Sequence, residues 1–195
     1  LACNIGEILV VFIAVMLFQK LPLTATMLLW INVVTDGLPA VALGLDRAEK
    51  GIMNYPPKVF QKEIVNTRMW IEMSIYGILL ATGVLGIFLL NLPYGLEKAQ
   101  GAAFTAIVMF ELVKLYIIRS RYKVSFFSNP WLLWAVLLTI VIQIAIIYIP
   151  FISNLFEMEP IGLFDWIYIL SICGLLWIVF KSIQRFLDAL HLPSV

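Results

Sequence analysis

The chain has 195 residues, of which 63% are hydrophobic and only 13% charged, with a formal net charge of +1 and a mean hydropathy of +1.01. Soluble domains run nearer about 45–50% apolar and about 25% charged, so this composition excludes a sizeable soluble domain and makes the chain a membrane protein. The net charge names no partner. Nothing in the charge pattern calls for nucleic acid, and the surroundings the composition does call for are membrane lipid. Cys3 and Cys173 both fall in apolar runs, which argues against a disulfide framework. The chain opens inside an apolar run with neither a Met nor a basic leader, so it is expected to be a piece of a larger protein.

A helix needs about 20 apolar residues to cross a bilayer. Six runs approach that length: 1–19, 23–45, 69–91, 101–119, 131–150 and 164–184. They predict an all-α polytopic membrane bundle of about six transmembrane helices, one domain over 1–195. Linkers at 19–22, 92–100 and 151–163 pair the runs into three hairpins, and linkers at 46–68 and 120–130 separate the hairpins. The second run contains Trp30-Ile-Asn-Val-Val-Thr-Asp-Gly-Leu-Pro39, which puts Asn32, Thr35 and Asp36 beside residues a plain helix avoids. In the third run, Gly77 with Ala81 and Gly83 with Gly86 suggest a close-packed face, and Glu72 reads as interfacial. His191 reads as a solvated tail residue.

Orientation follows from Lys and Arg. Arg47, Lys50, Lys58, Lys62 and Arg68 mark one linker, Arg119, Arg121 and Lys123 another, and Lys181 and Arg185 the tail. The alternate linkers hold only Lys20 and Lys98, so both chain ends are expected to be cytoplasmic. Trp131, Trp134 and Trp166 fall where an aromatic belt would lie.

Three acids lie well inside the runs: Glu7, Asp36 and Glu111. A carboxylate at the centre of a bilayer costs about 2.5–3.5 kcal/mol on insertion scales, so each needs a reason to be there. Counting about 1.5 Å per residue puts Glu7 and Asp36 at a common depth, roughly 20 Å below the outer surface. Asn4 lies one turn from Glu7, and Asn32 and Asp36 share a face at i, i+4. Asn4, Glu7, Asn32, Thr35, Asp36 and Glu111 together offer enough hard oxygens for one ion of the calcium type, which takes about six to eight. A second ion would need oxygens from elsewhere, such as backbone carbonyls. Hard oxygen donors favour calcium, magnesium, manganese or sodium over zinc or copper. The bland reading has Asn4 and Thr35 merely hydrogen-bonding across helices. Lys114, one turn from Glu111, either turns inward and lowers the local charge from −3 to −2, which suits a single divalent ion, or snorkels to the cytoplasmic surface. Reach alone favours snorkelling.

Three stretches carry a family resemblance: Asn4-Ile-Gly-Glu7, Leu28 to Ala40, and Ile52-Met-Asn-Tyr-Pro-Pro-Lys58. In order and spacing they resemble the C-terminal membrane half of a type II P-type ATPase, most of all the sarco/endoplasmic-reticulum-type calcium pump. Beyond residue 58 the resemblance rests on the span pattern and on Phe110-Glu111. It implies that the chain corresponds to transmembrane helices five to ten. By that resemblance Asn4 and Glu7 match fifth-helix ligands, Asn32, Thr35 and Asp36 match sixth-helix ligands in a helix unwound near Asp36-Gly37, and Glu111 matches an eighth-helix ligand. It implies two calcium ions as cargo, one of them also held by a fourth helix. Lys114 departs from the neutral polar residue of the reticulum pumps.

The resemblance further implies partners in the N-terminal half of the same pump: helices one to four and the cytoplasmic head. ATP and Mg²⁺ would act only in that parent, since the chain has no phosphorylation motif and no phosphate loop and is not expected to be catalytic alone. No catalytic and no cofactor-binding residues are assigned. Calcium export from the cytoplasm with proton countertransport is the expected activity of the whole, in a compact prokaryotic pump of the cell membrane. A sodium or other cation pump of the same family is the alternative. A stand-alone channel or secondary transporter, or an assembly subunit with paired or protonated acids, would represent other classes.

Overall fold

The computed structural model describes residues 2–44, 67–121 and 129–189. Its elements follow the apolar runs, as they must in hydrocarbon, where only a helix satisfies every backbone N–H and C=O within one segment. Helix α1 is Ala2–Phe18. The second span is broken into α2 (Ala25–Trp30), a π-helical turn (Ile31–Thr35) and α3 (Gly37–Gly44). Then come α4 (Thr67–Asn91), a 3-10 turn (Leu92–Tyr94), α5 (Leu96–Arg121), α6 (Pro130–Tyr148), the short α7 (Pro150–Leu155) and α8 (Leu163–Ala189). Among the described residues five helical stretches are long and apolar enough to cross a membrane, and Asn4–Phe18 is a shorter sixth. No described residue is in a strand.

Helix α5 is the centre of the bundle. Ala99, Ala102, Ala103, Phe104, Ala106, Ile107, Val108 and Phe110 are all buried, and the run of alanines lets neighbouring helices approach its backbone closely. Helix α4 packs against α1, α5 and α8. The α1–α4 seam closes at Gly6 and Gly77. A Cβ on Gly77 would stand 2.9 Å from Ile5 Cγ2 and 3.3 Å from the Gly6 nitrogen. One on Gly6 would stand 2.8 Å from Leu80 Cδ2. Of the small residues expected on a packed face, Gly77, Ala81 and Gly83 are on one; Gly86 is not, since nothing lies within 4 Å of its Cβ position.

Side-chain bonds between elements satisfy carbonyls that helix ends leave bare. Gln100 Nε2 donates to the Leu21 carbonyl at 2.9 Å. Asn129 caps α6 by accepting from Leu132 N–H at 3.1 Å and donates to the Ala42 carbonyl at 2.8 Å, tying α6 to the end of α3. Gln143, fully buried, donates to Thr105 Oγ1 at 3.4 Å.

Helix α5 and the 151–163 linker depart from the apolar runs in ways the structure explains. Helix α5 begins at Leu96, five residues before its apolar run, because its polar first turns find partners. Lys98 Nζ lies 3.7 Å from Asp165 Oδ2 and 4.6 Å above the Tyr94 ring, and Gln100 reaches Leu21. The 151–163 linker begins with α7, set off from α6 by the extended residue Ile149 before Pro150. Glu72, near the start of α4, is buried against protein, and Arg68 one turn earlier pairs with it at 2.9 Å and offsets its charge. Cys173 is a free, buried thiol. Arg47, Lys50, Lys58, Lys62, Lys123 and His191 lie outside the described residues.

Candidate ion-binding site

The second span owes its broken form to Pro39. A proline cannot donate from its nitrogen, and its ring collides with the carbonyl four residues back. It is tolerated in the first turn of α3, whose N–H groups have no partner within that helix. Upstream the chain widens instead. The Asp36 N–H reaches back five residues to the Ile31 carbonyl at 2.9 Å, and α-type pairing resumes with Ala40 N–H to the Asp36 carbonyl at 3.1 Å. The resemblance implied an unwound helix here; the structure corrects that to a π turn. Widening by one residue leaves Trp30, Ile31 and Asp36 with helical dihedrals, whereas full unwinding would expose several polar backbone groups. Pro39 has no N–H for the Thr35 carbonyl in α register or the Val34 carbonyl in π register, so that oxygen is left for another partner. A π turn of this kind recurs at functional sites.

Substituting alanine for Pro39 supplies the missing N–H and removes the ring. The span is expected to regularise into one α-helix and turn Thr35 and Asp36 out of register. In the full-length polypeptide, calcium affinity should fall at least about tenfold while thermal stability holds or rises. Unchanged affinity would show that the π turn is not needed for binding.

Helix α1 brings Glu7 against this turn. Glu7 is buried at 6% exposure, and its Oε2 accepts from Asn32 Nδ2 at 3.1 Å. The same Asn32 nitrogen donates to the Leu28 carbonyl at 2.9 Å, which fixes the amide and leaves Oδ1 on the other side of the group. Glu111, on α5, is also buried, and its carboxyl stands within hydrogen-bonding reach of Glu7. Asp36 is close enough to act electrostatically on Glu7, and so is Lys114. Glu7 Oε1 and Thr35 Oγ1 are buried without a hydrogen-bond partner. Orphaned oxygens are costly in an apolar interior and fit a ligand set that a cation completes.

The sequence-derived ligands are thus gathered unevenly. Glu7, Asn32 and Glu111 meet, Asp36 lies in electrostatic range, Thr35 is buried on the π turn, and Asn4 is exposed one turn before Glu7 on α1. Among the described residues no three acidic, His or Cys side chains sit close enough together to hold a metal. A groove of about 500 Å³ opens beside the site, lined by Ile8, Val11, Phe12 and Leu28, with Glu7 and Asn32 its polar members.

Lys114 is a second correction. It does not snorkel to the nearer helix end. Its Nζ lies 5.8 Å from the centroid of the buried Tyr76 ring. Helical side chains lean toward their own N-terminus, so Lys114 leans back along α5 toward Phe110 and Glu111, away from the Arg119 end. Sequence reasoning also missed Tyr76, whose hydroxyl donates to the Phe110 carbonyl at 2.6 Å and braces the turn of α5 that carries Glu111. A phenol in the middle of an apolar span was the available signal.

Residues 20–186 match the family model described as cation transporting ATPase, C-terminus. The chain belongs to the cation-transporting ATPase C-terminal family. This agrees with the P-type ATPase resemblance drawn from the motifs above. Similar curated proteins include a calcium-transporting ATPase of Bacillus subtilis, 32% identical over 90% of the chain and 20% of that protein. A calcium-transporting ATPase of Bacillus cereus is 30% identical over 87% of the chain and 22% of its own length. The human calcium-transporting ATPase type 2C member 2 is 27% identical over 84% of the chain and 18% of its length. The ATPase C-terminal domain described here therefore spans about a fifth of these relatives.

Proposed function

We propose that this ATPase C-terminal domain supplies the ion-binding half of an ATP-driven calcium pump. Asn4, Glu7, Asn32, Thr35, Asp36 and Glu111 are the ligands contributed by this chain. The observation that carries the reading is that buried Glu7 on α1 interacts both with Asn32 at the π turn and with buried Glu111 on α5, three polar groups brought together from three spans. Their oxygens are hard donors suited to calcium, and similar proteins from two bacilli and from human are calcium-transporting ATPases. Calcium would leave the cytoplasm, and the vacated carboxylates would take up protons on the far side and return them. ATP and Mg²⁺ would act in the rest of the parent polypeptide, whose N-terminal half is the natural partner of this chain. The same oxygens would serve sodium, which is the second reading because residue type separates the two ions poorly.

Calcium-45 titration of the purified full-length protein tests this. Micromolar, saturable binding that is lost in Asp36→Asn supports the proposal. Binding that survives Asp36→Asn, or ATPase activity driven by sodium without calcium, overturns it.

A further inference from the structure

Lys114 has no part in the ligand set, yet it stands inside it. It is half-buried on α5 one turn after Glu111, its Nζ lies over the buried Tyr76 ring, and its charge acts on Glu7 of α1. An ammonium directed into the membrane interior is as costly there as a carboxylate, so its position needs a compensating charge. The groups near it are Tyr76 from α4, under its Nζ, Glu7 from α1, on which its charge acts, and Glu111 one turn back on its own helix; Glu111 and Asp36 act on Glu7 in turn. The Tyr76 ring face is a weak cation seat, and the tyrosine is held by its hydroxyl bond to Phe110 and an edge contact with Phe180 at 5.5 Å. Lys114 is therefore held at the level of the carboxylates, not swept out to water.

Resting on the calcium-pump reading, we propose that Lys114 is a tethered counter-cation of the transport site, which matches the site to one divalent ion per cycle and not two. Three carboxylates alone carry −3; with Lys114 the chain's own charge is −2, which one divalent ion neutralises. A second divalent ion would have to approach both the first ion and a fixed ammonium in a medium of low effective dielectric, where like charges repel strongly. In the emptied site the ammonium would offset one of the three carboxylates and leave two for protons.

The test is calcium binding per phosphorylatable molecule in the full-length protein, measured at alkaline pH where protons compete least. Wild type and Lys114→Arg are expected to bind one calcium each with a non-cooperative isotherm. Lys114→Asn keeps a polar group of moderate size and removes the repulsion, so its calcium affinity should rise about tenfold. Two calcium ions in the wild type, or an affinity in Lys114→Asn no tighter than wild type, would overturn the proposal. No calcium binding in the wild type would instead overturn the calcium-pump reading on which it rests. Retention of one-ion binding in Lys114→Arg separates lost charge from lost folding.

Discussion

Glutamine in place of Glu7 is expected to abolish high-affinity calcium binding, with a loss of about 100-fold or more. The change keeps the volume and one oxygen but removes the charge. Asn32 Nδ2 can still donate to the remaining carbonyl oxygen, so the local bond that joins α1 to the π turn survives. What disappears is the carboxylate that stands against Glu111 and in range of Asp36. Because Glu7 is buried, water cannot make up the deficit. Calcium-45 binding and calcium-dependent phosphorylation of the full-length protein should fall together while thermal stability stays near wild type. A Glu7→Gln protein that binds calcium as tightly as the wild type would remove α1 from the site.

Gly77→Ala is expected to loosen the bundle at the seam that positions Glu7. The added methyl would meet Ile5 Cγ2 at 2.9 Å and the Gly6 nitrogen at 3.3 Å, and the second of these is backbone that no rotamer change can move. Helices α1 and α4 must separate, at a cost of about 1–3 kcal/mol of the kind overpacked cores show. In a chain of this size the melting temperature should drop by about 2–4 °C for each kcal/mol. Calcium affinity should fall with it, since Glu7 lies one residue beyond Gly6 on the displaced helix. Gly86→Ala is the control. It has open space at the new methyl and should be neutral or slightly stabilising through helix propensity alone. Equal stability of Gly77→Ala and wild type in detergent would mean the seam is not tight.

The two substitutions separate the layers of the molecule. Glu7→Gln acts on charge at a preserved geometry, whereas Gly77→Ala acts on geometry at a preserved charge. Pro39→Ala acts on the backbone of the second span alone.

Hydrophobic run length made the spans readable, because a bilayer leaves a chain almost no choice but helix once about 20 apolar residues follow one another. The same constraint made Glu7, Asp36 and Glu111 stand out, since an acid in such a run has few cheap explanations. Helical rise alone placed Glu7 and Asp36 at one depth, and Asn32 does bond Glu7. Side-chain direction and packing were decided in three dimensions. Lys114 leans toward its helix N-terminus and the Tyr76 ring, which residue reach does not reveal. Glu72 became buriable only because Arg68 closes on it. Pro39 announced a break, but the π turn that answers it depends on keeping helical backbone bonds in an apolar medium. The spacing of Gly77 and Ala81 suggested a packed face, but that its partner is Gly6 of α1 emerged only when the two helices were laid together, because close approach is a property of two helices.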